Sequence, residues 1–161
     1  KFDIQYTKMR YSLLFTIAIF LFTACKKDKF TTAPQIAYKS ISPNAVFTNI
    51  PFQVMPVLSL EVTDAEGDLG FTGSDTSKIF IKNLLTGKID STLRLPDLSV
   101  ATGRNFKADV EITLNTSIIL EGSTRPSPKT DTLFYEIYIQ DFAKNKSNVL
   151  KTTDPVFIIF P

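Results

Sequence analysis

The sequence predicts an all-β domain, an antiparallel β-sandwich, on three observations. Apolar residues recur at every second position over several short runs, above all at 58–63 and 106–114, which is the period of a strand with one buried face. Clusters of Pro, Gly, Asn, Asp and Ser, including nine prolines and six glycines, cut the chain between those runs, as hairpins and loops require. Beyond residue 33 no run repeats its apolar residues convincingly at helical spacing.

In chain order, 34–41 reads as a first strand, ended by the turn chemistry of Ser42-Pro43-Asn44. Segment 46–55 is broken by Pro51 and bounded by Pro56. Proline has no N–H to give to a ladder, which confines this segment to an edge or an irregular path. Over 58–63, Leu58, Leu60 and Val62 face one way while Ser59, Glu61 and Thr63 face the other. An acidic turn follows at 63–70, then a loop over 71–77 that contains Gly73. The next strand covers 78–85 and stops at Thr86-Gly87, and 88–95 is expected to pair back on it as a hairpin. After a polar loop at 96–105, the run 106–114 alternates without a fault, with Phe106, Ala108, Val110, Ile112 and Leu114 inward. Residues 117–120 are a short apolar run, and 122–129, with two prolines, a loop. Over 130–140, Leu133, Tyr135, Ile137 and Ile139 point inward; Phe134 and Tyr138 take the outward register. A polar loop at 141–148 leads to the last strand within 151–160, whose Val156-Phe157-Ile158-Ile159-Phe160 is apolar on both faces. About seven short strands at this spacing fit a sandwich of immunoglobulin-like type. With no Trp and one Cys, it is the disulfide-free kind.

The first 24 residues read as a leader. Residues 1–8 precede Met9 and are taken to lie upstream of the start. Lys8 and Arg10 form a positive flank, 13–22 is apolar except for Thr16, and Thr23-Ala24-Cys25 closes the run with small residues. These are the three regions of a secretory signal. The run is shorter than the roughly 20 apolar residues a helix needs to cross a bilayer core of ~30 Å. Leu21-Phe22-Thr23-Ala24-Cys25 resembles the lipobox of bacterial lipoproteins, with Phe22 where Leu is usual. The resemblance implies cleavage before Cys25, a diacylglycerol on its thiol, and an acyl chain such as palmitate on the new amino terminus. Two or more acyl chains make such an anchor stable. The organisation is then 1–24 removed, 25–33 as lipidated Cys25 and tether, and 34–161 as the sandwich. Lys26, Lys27, Asp28 and Lys29 after the anchor fit either a surface-export signal or a solvated linker. The periplasmic face of the outer membrane and the cell surface are both open to it.

Charge and composition exclude several functions. The chain carries 18 basic and 16 acidic residues. The leader takes Lys1, Lys8, Arg10 and Asp3 with it, leaving 15 of each. A neutral domain lacks the electrostatic footprint of a nucleic-acid binder. There is no His, hence no usual general base or zinc ligand. No phosphate-cradling glycine loop or nucleophile elbow is present. The domain is therefore expected not to be an enzyme; a carboxylate hydrolase is the remote alternative.

One stretch concentrates chemistry. In Thr63-Asp64-Ala65-Glu66-Gly67-Asp68-Leu69-Gly70 three carboxylates occupy alternate positions on a turning backbone. Carboxylates so placed can converge on a cation at the 2.3–2.6 Å that calcium takes, or they can be solvated charges of a tight turn. An EF-hand is excluded, because Leu69 stands where its glycine belongs and a strand leads in. A second polar loop, Asp141-Phe142-Ala143-Lys144-Asn145-Lys146-Ser147-Asn148, follows the strand ending at Gln140. Taken together, 62–70 and 138–148 resemble small Gram-negative, Bacteroidota-type lipoproteins with one immunoglobulin-like or cadherin-like domain. That resemblance implies calcium held by both loops at one end of the sandwich, with Asp64, Glu66, Asp68, Asp141 and Asn145 as ligands. Lys144 stands where a glycine is usual in the second loop.

The expected function is a lipid-anchored cell-envelope binding module, stabilised by calcium, for a protein or glycan partner. The alternative is an accessory structural subunit of an envelope or nutrient-uptake complex. Tyr38, Tyr135 and Tyr138 are the aromatic candidates for a ligand platform; the competing expectation is that Phe134 and Tyr138 cover a further apolar layer.

Overall fold

A computed structural model describes residues 30–51, 53–72, 75–95 and 104–161. Cys25, the leader and the first tether residues lie outside the described residues, as does the loop at 96–103. The described chain is all-β, in twelve strands: β1 (Gln35–Ser42), β2 (Ala45–Phe47), β3 (Val57–Asp64), β4 (Phe71–Thr72), β5 (Asp75–Thr76), β6 (Lys78–Asn83), β7 (Ile89–Asp90), β8 (Phe106–Thr113), β9 (Lys129–Leu133), β10 (Tyr135–Gln140), β11 (Leu150–Lys151) and β12 (Val156–Phe160). They form a three-stranded sheet β1-β3-β8, a four-stranded sheet β11-β10-β6-β7, a three-stranded sheet β2-β12-β9 and the ribbon β4-β5. Pairing is antiparallel except between β12 and β2. This architecture is consistent with a β-sandwich.

Alternation decides which face is buried. Leu58, Leu60 and Val62 of β3 meet Ile79 and Ile81 of β6 and Ile137 and Ile139 of β10 in one apolar core. Val110 and Ile112 of β8, Leu133 of β9, and Val156 and Ile158 of β12 join it. Each fully buried aliphatic side chain contributes about 1.5–3 kcal/mol relative to exposure. Ile119, in the 117–120 turn, plugs the core, and its carbonyl accepts from Asn83 Nδ2 (3.1 Å) and the Tyr135 hydroxyl (3.2 Å).

The run 130–140 is two strands rather than one. Leu133 and Tyr135 are both buried on either side of Phe134. Before Phe134 the chain pairs with β12, and after it with β6. The chain thus changes sheets at one residue without losing its inward register, so the alternation carries no mark of the break. Within 71–77 the structure has the short pair β4-β5 where a loop was expected. The expected 88–95 hairpin reduces to β7 and a single bridge, Lys78 to Arg94. Segment 46–55 contributes only β2, an edge strand, in agreement with its prolines. Both edges of β12 are paired, with β2 and β9; of its two apolar faces, Val156 and Ile158 enter the core while Phe157 and Ile159 are half-buried on the other side.

Candidate cation site

The two strands that lead to the polar loops are each one residue longer in register than their apolar pattern. After Leu58, Leu60 and Val62, the next inward position of β3 is Asp64. After Ile137 and Ile139, the next inward position beyond β10 is Asp141. Both aspartates are fully buried. β3 and β10 belong to different sheets yet finish at the same pole, which brings their terminal carboxylates together under the core. Gly67 and Gly70, at φ of 68° and 111°, turn the chain after β3 in a conformation costly for other residues. Buried Leu69 pins that turn to the core, and Ser77 closes it through Gly70, accepting from its N–H (3.1 Å) and donating to its carbonyl (2.8 Å).

Asp64, Asp68 and Asp141 each offer a carboxylate oxygen, and these oxygens lie within 4.8 Å of one another. Two oxygens on one calcium at 2.3–2.6 Å are at most about 5 Å apart, so the spacing fits a shared cation. The Asp64 Oδ2 accepts from the Gly67 N–H at 2.5 Å. Its Oδ1, and Oδ1 of Asp68, are buried with no hydrogen-bond partner. A buried carboxylate oxygen without a partner is costly. Burial pushes the Asp64 carboxyl up to about 6, against the pull of the Gly67 and Asp68 N–H groups, and the neighbouring Asp68 carboxylate pushes it up as well. An all-oxygen set with three carboxylates suits a hard divalent cation, calcium or magnesium, rather than zinc.

The second loop is preorganised around Asp141. Asn145 donates to both of its oxygens, from the backbone N–H (2.7 Å) and from Nδ2 (2.8 Å). Lys144 adopts φ of 70° to permit this. The Phe142 N–H donates to the Asp68 carbonyl at 3.0 Å, which ties the two loops directly. The start of the domain is tied in as well. The Ala65 N–H donates to the Thr31 carbonyl (3.0 Å), and the Asn148 side chain bonds both the N–H and the carbonyl of Ile36 (2.8 and 2.9 Å).

Of the five residues expected as ligands, the structure gathers Asp64, Asp68 and Asp141. Glu66 is exposed at the tip of the turn and outside that cluster. Asn145 lies against Asp141, to which its Nδ2 donates at 2.8 Å, while the atom it would offer a cation is Oδ1. The signal for the buried pair was the inward register of β3 and β10 running on into Asp64 and Asp141. The platform candidates are dispersed. Tyr135 is core, Tyr38 donates to Asp154 at 2.7 Å, and Tyr138 stacks on Phe80 with ring centroids 4.5 Å apart. Searches of family models, curated proteins and solved structures return no match to this chain.

Proposed function

We propose that the chain is a lipid-anchored, non-enzymatic binding module of the cell envelope, with one pole of its sandwich stiffened by calcium. The observation that carries the calcium reading is the pair of buried, partnerless carboxylate oxygens on Asp64 and Asp68 beside Asp141. A bound cation would supply charge compensation and cross-link the turn after β3 to the loop after β10; these residues need no other chemistry. The lipobox-like Leu21–Cys25 run supports the anchor.

The test is a thermal melt of the purified protein in calcium and in chelator. Calcium about 100-fold above its Kd should add roughly 2.7 kcal/mol, several degrees for a domain of this size. The shift should vanish in Asp68→Ala and persist in Glu66→Gln, whose side chain lies outside the cluster. An unchanged melt in chelator would reject the cation reading.

A further inference from the structure

The outer face of the β11-β10-β6-β7 sheet collects the charge that the rest of the domain balances. Residues directly opposed across antiparallel strands share a face, and the pairings place three rows on this one. Arg94, Lys78, Gln140 and Lys146 form the first row. Phe80 and Tyr138 form the second. Ile89, Lys82, Glu136 and Lys151 form the third. Among the described residues of these rows, five cations thus face one carboxylate, Glu136, which lies 3.7 Å from Lys82. The chain beyond its leader has equal numbers of acids and bases, so this face is a segregation of charge. Along β6 and β10 the cationic rows are about 13 Å apart, with the aromatic row between them.

The middle of the face is shaped. Tyr138 is stacked on Phe80, interplanar angle 8°, and the Lys146 ammonium lies over its ring, 4.0 Å from the centroid. Beside it lies a shallow recess of about 270 Å³, walled by Lys82, Glu136, Tyr138 and Lys146, with the exposed side chains of Ile89 and Val149 at its margins.

We infer that this face binds an acidic polysaccharide, seating a carboxylated or sulfated sugar in the recess while the lysine rows hold the anionic groups on either side. A sugar ring with an anionic substituent has both features the recess offers to meet: apolar C–H faces for Ile89 and Val149, and a charge for Lys82 and Lys146. Lysine ammoniums act as point charges without fixed fork geometry, which suits a polymer carrying a repeated anion. An acidic peptide would gain most by adding a strand to the sheet. Here both edge strands, β7 and β11, are two residues long, and they offer little ladder to extend. This inference rests on the binding-module reading above and names its partner class.

Calorimetric titration of the purified protein with chondroitin sulfate tests it, with uncharged dextran, poly-glutamate and phosphatidylglycerol vesicles as competing probes. Chondroitin sulfate should bind, more weakly as salt rises, and dextran should not. Combined Lys78→Glu and Lys146→Glu should weaken binding about tenfold or more. The neutral pair Lys78→Gln and Lys146→Gln should weaken it less, in the same direction. Lys39→Glu, on the opposite sheet, should leave it unchanged. Absence of binding, equal loss in Lys39→Glu, or tighter binding of poly-glutamate or vesicles would overturn the proposal. The calcium-dependent melt, read on the same samples, separates the two readings. Lost glycan binding with an intact calcium shift removes only this one; intact glycan binding without a calcium shift removes only the cation site.

Discussion

Asp64 occupies a core position of β3 where every preceding inward residue is aliphatic. Its charge is tolerable there only with compensation. In chelator, Asp64→Asn should therefore melt above the wild-type protein, because it removes a buried charge and gives Asp68 Oδ1 a nearby amide. The same variant should lose the stabilisation by calcium. A variant that melts lower in chelator would mean that the carboxylate is satisfied without a cation. Asp131 shows the opposite solution for a buried acid. Burial alone would raise its pKa, but Arg125 (2.8 Å), Ser123 and Lys129 surround the carboxylate and hold it well below the usual range. A depressed folded pKa contributes stability above the ordinary carboxylate pKa of about 3.9, lost as pH falls towards the folded value. Asp131→Asn should accordingly cost about 3 kcal/mol at neutral pH, chiefly because the nearly buried Lys129 loses its partner, Arg125 being two-thirds exposed, and clearly less in strong acid. Denaturant titrations at both pH values would read the difference. At this scale the sequence was half legible. Asp64 and Asp68 are conspicuous as a run of acids, whereas the Asp131 cluster assembles from Ser123, Arg125 and Lys129 around a loop whose path no local pattern specifies.

Among the elements, the strands with strict alternation, β3, β8 and β10, were readable because each buries one face against a single core. Where the chain moves between sheets the pattern is silent: Phe134 separates β9 from β10 inside an unbroken inward series. The pair β4-β5 was hidden for a different reason, since two residues per strand leave no period to detect. Gly122, which follows the 117–120 turn, has a role that loop composition did not suggest. A Cβ there would meet Asp131 Oδ2 at 2.6 Å and the Phe160 ring at 2.7 Å. The ring belongs to the last strand and the carboxylate to the ion cluster, so neither moves freely. Gly122→Ala should lower stability by about 1–3 kcal/mol, measurable by urea denaturation with an unchanged m-value. Full wild-type stability would show that the 122–129 loop slides to accommodate the methyl group.

For the whole molecule, sequence sufficed for the all-β class and for the pole at which the acids collect. It did not foretell the cationic sheet face, because opposed residues such as Lys78, Arg94 and Lys146 are far apart in the chain and share a row only through strand register. The anchor expectation is tested at this scale. Cys25→Ser should move the protein from the membrane fraction to the soluble fraction on cell fractionation; retention with the membranes would exclude a thiol-borne lipid.

The hydrogen bond from Ala65 to the Thr31 carbonyl, with the Asn148 clasp on Ile36, has a mechanical consequence. Any tension applied through the segment ahead of residue 30 reaches the sandwich at these bonds, beside the three aspartates. A cation there would act as a rivet at the point of loading, so that the first step of forced detachment should need more force in calcium than in chelator. Single-molecule pulling from the amino-terminal side would show this as a calcium-dependent first rupture. Equal first ruptures would place the load path elsewhere.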